Sequence, residues 1–466
     1  MARRFSQNDS LADPAGTGAS PVFPDPTPLL VASGLDADEV VRILGPYGLG
    51  NLTEADTNIQ SMAGEPHTRR LLAGILPRLL AEVARTADPD QALNHWERLF
   101  AGSANRSSLL QYLQASPRML GLLCTIFGNS DSLAFALIRD PMLVYWLAEE
   151  DVLTTAPTRE GMVAALRQSL GSLKATELKL DVLRRVRRRE MLRIGVRDLL
   201  RLATVEETVG SLSDLASVLI HAAYEIVDKD LKTQHGTPMH QRPDGTWIET
   251  EFVVIGMGKL GAHELNYSSD VDLIYVYASA DGETRKARGN RQTSIEPLSN
   301  EEYFEMLARS LTKALAEQTR EGAVFRVDLR LRAEGTVGQL ARSVEAYAKY
   351  YAQRGQVWER LALLKAWPVA GSPAVGQAFV QMAEGFVFQS DLQPLTRERA
   401  LAVIRDVRSV KEMIDEKIAV RGHQHRNVKL GTGGIREIEF LVQTIQVLIG
   451  RAVPDILDRK TVGALH

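Results

Sequence analysis

Two aspartates, Asp270 and Asp272, stand at the start of a mostly apolar run, 271–277, that is predicted to form a β-strand. Side chains two positions apart on a strand point to the same face, so the two carboxylates could bind one divalent cation. Carboxylate oxygens are hard ligands, which suit Mg²⁺ or Mn²⁺. A third carboxylate, Asp328, lies in another predicted strand, 324–331. If the strands are neighbours, the three aspartates form a catalytic site for two metals that promotes in-line phosphoryl displacement.

A glycine-rich turn precedes these aspartates and contains Gly256, Gly258 and Lys259. Glycines let the backbone approach a phosphate closely, and the first turn of a following helix offers unpaired N–H groups to it. Lys259, together with Arg330 and Arg332 on or just past the third strand, could place positive charge on phosphate oxygens. The alternative is that Lys259 is a solvated helix start and that the two arginines are ordinary edge-strand charges.

The spacing of Gly256, Gly258 and Gly261 also matches the G-x-G-x-x-G fingerprint of dinucleotide-binding folds. That fingerprint expects an acidic residue about 20 positions later, at the end of the second strand. Val276 occupies that position, and the connection between the strands is shorter than a parallel crossover needs. The dinucleotide interpretation is therefore disfavoured.

The elements that must position these residues form a small mixed sheet. Strands are predicted at 252–255, 271–277 and 324–331, with a helix at 300–318 before the last of them. The polar stretch 278–299 is expected to be a loop over one end of the sheet.

The rest of the chain has mainly helical periodicity. We expect a flexible tail at 1–34, a helical region at 35–249 that ends in a loop from 234, a catalytic core at 250–340 and a helical bundle at 341–466. The predicted fold class is α+β and mostly helical, with a small mixed-sheet nucleotidyltransferase domain embedded between helical bundles.

Composition narrows the functional classes. The 466 residues predict two or three packed units, and 55 basic against 58 acidic residues argue against a nucleic-acid partner. The only cysteine, Cys124, excludes an internal disulfide and a zinc site of several thiolates. No apolar run reaches the roughly 18–20 residues that span a bilayer, so we expect a cytoplasmic protein without a membrane partner.

Four ordered stretches resemble the bifunctional glutamine synthetase adenylyltransferase/adenylyl-removing enzymes, within the nucleotidyltransferase superfamily that includes DNA polymerase beta. They are 256–261 with 264–273, 325–332, 358–360 with 365–366, and 429–431 with 433–440. One departure is that Ala333 and Glu334 follow Arg332, where the family pattern has a proline and an aromatic or similar residue.

The resemblance implies a particular reaction. The family has two similar halves, and the stretch 433–440 resembles the N-terminal half, which removes AMP from a tyrosine of glutamine synthetase. Inorganic phosphate would attack the α-phosphorus and release ADP. Ser268 and Ser269 would help to hold the nucleotide phosphates, and Arg330 and Arg332 are candidates for binding the attacking phosphate.

The resemblance also implies partners, namely glutamine synthetase and the uridylylated form of the PII signalling protein. The second, adenylyltransferase half would be missing from this chain. Two other classes stay open: a nucleotidyltransferase with another protein or small-molecule acceptor, and a regulatory nucleotide-binding module without catalysis. The intact pair of Asp270 and Asp272 argues against loss of catalysis.

Three further features have competing interpretations. The basic run 184–189 is expected to be solvated or paired within the molecule, and we hypothesise that it packs near the active site. Trp358 and Trp367 are interpreted as core aromatics. Glu437 and Glu439 open a predicted helix, where they could cap it or form a polar wall of the catalytic cleft.

Overall fold

The structure is a computed structural model. The residues that it describes are 23–31, 35–285, 296–388, 396–419, 428–429 and 433–465. The chain divides into two compact units, Met1–Glu149 and Glu150–His466. The helices between 150 and 235, which the sequence placed in one region with those before them, therefore belong to the same unit as the sheet. The predicted α+β, mostly helical fold is confirmed.

The first unit is helical throughout its described residues. Side chains accept hydrogen bonds from the first turns of five of its helices, at Asp36, Asn51, Asp88, Asn105 and Ser130. Its helices are α1 (Pro28–Val31), α2 (Ala37–Leu44), α3 (Leu52–Ala63), α4 (Pro66–Val83), α5 (Pro89–Gly102), α6 (Arg106–Ala115), α7 (Pro117–Asn129), α8 (Asp131–Arg139) and α9 (Leu143–Leu147).

Part of the segment predicted to be a flexible tail is packed. Leu29 and Leu30 are buried, and the carbonyl of Leu29 accepts a 2.6 Å hydrogen bond from the Gln60 amide. The hydroxyl of Tyr47 donates to the carbonyl of Pro24 at 2.7 Å. The prediction of a flexible tail is therefore wrong for 23–31, because the leucines of this short segment are buried against the helices of the first unit. Most of 1–34 lies outside the described residues.

The second unit opens with four helices. They are α10 (Glu150–Thr154), α11 (Arg159–Leu170), α12 (Thr176–Leu199) and α13 (Val205–His235). A capping box between Thr204 and Glu207 starts α13, whose buried side chains join the core beneath the sheet. The helical pattern predicted up to residue 235 is confirmed. None of the described helices is both long and apolar enough to cross a membrane.

A five-stranded mixed sheet forms the centre of this unit. Its strands are β3 (Phe252–Gly256), β4 (Val271–Tyr277), β6 (Val327–Asp328), β7 (Ala341–Ser343) and β8 (Trp367–Gly371). Strand β3 lies between β4 and β8 and is antiparallel to both, whereas β6 and β7 pair with β4 in parallel. Helices α14 (Gly258–Gly261) and α15 (Asn300–Ala316) connect them. The sequence predicted β4 and the start of α15 correctly.

Both faces of the central strands are buried, so their residues alternate between two cores. Tyr275 and Tyr277 lie in the core with α13 and α15, and the ring of Tyr277 stacks on Phe304 at 4.5 Å between centroids. Ile274 and Val276 lie in the second core, with residues of the helices that follow the sheet. This burial holds β4, and the aspartates at its start, in a fixed register.

The third predicted strand, 324–331, is much shorter than expected. Only Val327 and Asp328 pair with β4, because the amides of Val324 and Phe325 donate to the Leu315 carbonyl instead. After the strand, the Asp328 side chain accepts from the backbone amide of Arg330 and turns the chain.

The loop expected at 234–249 is a β-hairpin in the structure. Strands β1 (Thr237–Gln241) and β2 (Trp247–Glu249) pair around a turn at Gly245, whose φ is 84°. Strand β5 (Glu283–Arg285) adds to β1, so the expected loop 278–299 also contains a strand; its residues 286–295 lie outside the described ones. Short strands rich in proline and polar residues gave no alternation to recognise.

Helices dominate the remainder, as predicted for 341–466, although the sequence missed β7 and β8. They are α16 (Val344–Arg354), α17 (Val357–Leu363), α18 (Pro373–Phe388), α19 (Arg397–Ala419) and α20 (Ile435–Ile449). Trp358 is half-buried, but Trp367 is 45% exposed at the start of β8, so the core interpretation is wrong for Trp367.

Candidate active site

The glycine turn lies against the strand that carries the aspartates. The amide of Met257 donates to the backbone carbonyl of Asp272 at 2.8 Å. Gly258 has φ 52°, and a Cβ atom built there would lie 2.6 Å from Oδ2 of Asp272. A side chain at position 258 would therefore displace the Asp272 carboxylate, and glycine brings bare backbone next to it.

The far end of the turn is closely packed as well. A Cβ atom on Gly261 would lie 1.9 Å from the carbonyl oxygen of Lys365 and 2.4 Å from that of Gly256. Both neighbours are backbone atoms, which have little freedom to move. Glycine at 261 is thus required for the turn to close.

The three predicted metal-binding aspartates are brought together where the start of β4 lies beside β6. Asp272 and Asp328 are register partners on the parallel strands β4 and β6, and Asp270 directly precedes β4. The outer two each contact an arginine: Asp270 accepts from Nε of Arg326 at 2.5 Å, and Asp328 from Nε of Arg330 at 2.9 Å.

Burial raises the pKa of Asp272 to about 6, and the negative charges of Asp328 and Asp270 act in the same direction. Arg330 has the opposite effect on its own partner, since its hydrogen bonds lower the pKa of Asp328. The central carboxylate is therefore the one that most needs additional positive charge.

A divalent cation fits the chemistry of this donor set, which consists of carboxylate oxygens with one half-buried member repelled by its neighbours. Within the described ranges, no three acidic, histidine or cysteine side chains converge as a ready metal cluster. The outer aspartates are instead held by Arg326 and Arg330. The metal-binding role of Asp270, Asp272 and Asp328 stays a prediction.

Lys259 lies half-buried in a cluster of mixed charge. Burial lowers its pKa, as do the neighbouring ammonium groups of Lys429 and Lys365, whereas Glu439 and Glu264 act in the opposite direction. The cluster contains three ammonium groups and two carboxylates, and its excess of positive charge suits a surface that holds phosphates.

The other predicted phosphate ligands differ in their surroundings. Ser268 is exposed, and its carbonyl accepts from Arg326 at 2.6 Å; Ser269 follows it in the same turn. Arg330 is exposed beside the carboxylates. The guanidinium of buried Arg332 donates to backbone carbonyls of its own loop, at 329, 336, 338 and 339. The structure thus gives Arg332 a role in holding this loop, while its binding of phosphate stays a prediction.

The loop after the third strand contains the departure from the family pattern. Glu334 has φ 62°, a left-handed conformation that is uncommon outside glycine, and it pairs with Arg354 at 2.8 Å and with Arg342. Ala333 is fully buried. The loop is therefore fixed by ion pairs in this chain.

Glu437 and Glu439 have separate roles. Glu437 accepts from the amide of Gly433 at 2.8 Å and pairs with Lys411 at 2.7 Å, which agrees with the capping interpretation. Glu439 accepts from buried Lys365 at 2.8 Å, on the side of the glycine turn. It belongs to the polar surroundings of the turn.

The basic run 184–189 pairs within the molecule. Arg188 contacts Glu321 at 2.8 Å, and the guanidinium of Arg187 lies 5.2 Å from the ring centroid of Phe325. Because Arg326, the next residue, binds Asp270, the run packs one residue from the carboxylate site.

Arg188→Glu should lower the free energy of unfolding by about 3 kcal/mol, because it sets two carboxylates against each other where the wild-type side chains are only 14% and 26% exposed. Urea unfolding would measure this. The control Arg185→Glu makes the same charge change beside Glu321 on a side chain that is 48% exposed, and should cost below about 1 kcal/mol. Equal losses in the two variants would show that the buried pair has no special weight.

Comparison with known proteins decides the family. Residues 120–382, more than half of the chain, match the family model described as "Glutamate-ammonia ligase adenylyltransferase". The chain belongs to that family. A second match, to "GlnD PII-uridylyltransferase", covers residues 408–464.

Curated relatives of this adenylyltransferase-family chain share the name bifunctional glutamine synthetase adenylyltransferase/adenylyl-removing enzyme. The protein from Nitrosococcus oceani is 39% identical over 351 residues, 75% of this chain and 34% of the relative. Those from Hahella chejuensis and Pseudomonas aeruginosa are each 38% identical, over 73% and 70% of this chain and 33% and 31% of the relatives. The chain spans about a third of the length of these relatives.

Each of the two family matches covers a different part of the site in this adenylyltransferase-family chain. The first covers the aspartates, the glycine turn and Lys365; the second covers Lys429, Glu439 and a further residue, Thr461. Sequence reasoning did not single out Thr461, nor Arg326 as the partner of Asp270. The one available signal was the position of Arg326 within the third predicted strand, 324–331, two residues before Asp328 and hence on the same face.

Proposed function

We propose that this chain removes AMP from the adenylylated tyrosine of glutamine synthetase by metal-dependent phosphorolysis. An oxygen of inorganic phosphate bonds to the α-phosphorus, the bond from that phosphorus to the tyrosyl oxygen breaks, and the tyrosyl oxygen takes up a proton. The products are ADP and unmodified tyrosine. The observation that carries the proposal is the placement of Asp272 in register with Asp328, directly against Gly258.

The proposed roles follow from this placement. Asp270, Asp272 and Asp328 would hold Mg²⁺ or Mn²⁺, which when bound offsets negative charge on the phosphoryl oxygens. The turn at Gly258 brings backbone and the Lys259 ammonium to the phosphate of the AMP group. Arg330, exposed beside the carboxylates, would bind the incoming phosphate.

The direction of the reaction rests on the likeness of residues 433–440 to the adenylyl-removing half of the family. The coverage of about a third of the bifunctional relatives is compatible with one half of such an enzyme. In this proposal a second, adenylyltransferase half lies outside this chain, and the uridylylated PII protein is a regulatory partner.

A deadenylylation assay tests the proposal. Purified chain is mixed with adenylylated glutamine synthetase, phosphate and Mg²⁺, and ADP is measured for the wild type, Asp270→Asn and Asp230→Asn. Asp230 is an exposed aspartate of α13 and serves as the matched control. We expect phosphate-dependent ADP release that Asp270→Asn lacks and Asp230→Asn retains. Turnover unchanged in Asp270→Asn would overturn the assignment of the site.

The alternatives predict other results in the same series. ATP-dependent labelling of unmodified glutamine synthetase would indicate the attaching reaction. Mg²⁺-dependent ADP binding without turnover, even with uridylylated PII added, would favour another acceptor or a regulatory nucleotide-binding module.

A further inference from the structure

Arg459 contacts the end of the glycine turn and the β8 residue that pairs with its beginning. Its Nη1 donates to the carbonyl of Gly261 at 2.6 Å, and its guanidinium lies 3.6 Å from the ring centroid of Trp367. Trp367 is the register partner of Gly256 in the pairing of β8 with β3. One side chain therefore links Gly261, where the turn ends, to the strand that pairs with Gly256, where the turn begins. The link to Gly261 is a charged hydrogen bond, and the link to Trp367 is a cation–π contact.

Thr461 holds the residues that follow the turn. Its amide and hydroxyl donate to the two carboxylate oxygens of Glu264, at 2.9 and 3.2 Å. The amide of Glu264 in turn donates to the carbonyl of Lys259 at 2.8 Å. The hydroxyl of Thr461 also accepts from Lys365 at 3.2 Å.

The segment that carries Arg459 and Thr461 is attached to α20. The side-chain amide of Gln446 donates to the carbonyls of Ile456 and Asp458, at 2.7 and 2.8 Å. Glu439, two turns earlier on the same face of α20, accepts from Lys365. Side-chain hydrogen bonds thus join helix α20 to the turn through the short segment 456–461.

We propose that residues 458–461 form a clamp on the glycine turn, with Arg459 as the positioning residue that fixes the backbone at Gly261 and the adjoining Lys259. The clamp couples the position of α20 to the nucleotide-contacting turn. That the turn contacts nucleotide rests on the proposed function; that Arg459 orders the turn does not.

Hydrogen exchange tests the clamp without any turnover. The amides of Gly261, Ala262 and His263 donate to carbonyls within the turn, at Met257, Gly258 and Leu260. In Arg459→Ala these three amides should exchange roughly tenfold faster. The control Arg405→Ala, an exposed arginine of α19 that donates to its own helix, should leave them unchanged.

Binding of ADP in the presence of Mg²⁺ gives the second readout. Arg459→Ala should raise the Kd for ADP about tenfold, and Arg459→Lys should recover part of the loss, because lysine keeps the charge but not the planar donor. Thr461→Val, which removes only the hydroxyl bonds, should show a smaller increase in exchange and serves if Arg459→Ala fails to fold.

The outcomes separate the two proposals. Wild-type exchange rates and wild-type ADP affinity in Arg459→Ala would overturn the clamp. If Arg459→Ala does not fold, the clamp would be overturned by wild-type exchange and affinity in both Arg459→Lys and Thr461→Val. Faster exchange in a chain that never releases ADP from adenylylated glutamine synthetase would retain the clamp and reject the proposed function.

Discussion

Asp272→Asn is expected to reduce ADP release by about 1,000-fold or more while the chain stays folded. Metal-held charge contributes several kcal/mol to phosphoryl transfer, and about 1.4 kcal/mol is a factor of ten in rate. Asp272 is the central carboxylate, paired in register with Asp328 and set against Gly258. The amide of asparagine has nearly the same shape, so the change removes a charged ligand without opening a cavity.

The same variant should be more stable than the wild type in metal-free buffer at neutral pH. Burial and two neighbouring carboxylates raise the pKa of Asp272 from 3.8 to about 6. Between these values the unfolded chain has lost a proton that the folded chain retains, so the free energy of unfolding falls as pH rises through this window. The loss amounts to on the order of 2 kcal/mol and persists at higher pH.

Urea unfolding in EDTA at pH 4 to 8 measures this effect. The Asp272 contribution to the wild-type profile should decline between about pH 4 and 6, and Asp272→Asn should lack that decline. Mg²⁺ should restore stability to the wild type only. Asp230→Asn, an exposed change of the same kind, should follow the wild type. A pH profile in Asp272→Asn that matches the wild type would show that folding does not raise the pKa of Asp272.

The parts of the site that the sequence predicted depend on short-range patterns. The glycines at 256, 258 and 261 indicate a turn, and the mostly apolar run after Asp270, rich in β-branched and aromatic residues, indicates a strand; both signals lie within a few residues of sequence. Strand β4 consequently begins and ends where it was predicted. The register between Asp272 and Asp328 needed one long-range assumption, that the two strands are neighbours, and the structure supports it.

The remainder depends on contacts between distant parts of the chain. Thr461 binds Glu264 across 197 positions and Arg459 binds Gly261 across 198, with no local pattern that indicates either partner. Strand β8 contains a proline and ends in a glycine, both poor strand signals, and forms because β3 offers it an edge. The residues that surround the turn therefore could not be predicted from the periodicity of the sequence.

Gly261→Ala is expected to be the most destabilising of the changes considered, lowering the free energy of unfolding by about 3 kcal/mol or more. The added methyl group would stand 1.9 Å from the Lys365 carbonyl and 2.4 Å from that of Gly256. Neither oxygen can withdraw without moving the end of β3 or the chain before β8. The turn should open, and ADP binding should be lost together with stability.

Gly210→Ala provides the matched control. Gly210 lies within α13, and an added Cβ atom there would meet its nearest neighbour, Cε1 of His263, at an ordinary 3.4 Å. Alanine favours a helix over glycine by up to about 1 kcal/mol, so this variant should equal or exceed the wild type. Urea unfolding and calorimetric titration with ADP and Mg²⁺ measure both variants. If Gly261→Ala unfolds at the same urea concentration as Gly210→Ala, the backbone at Gly261 has room to move, and close packing against Lys365 does not define the turn.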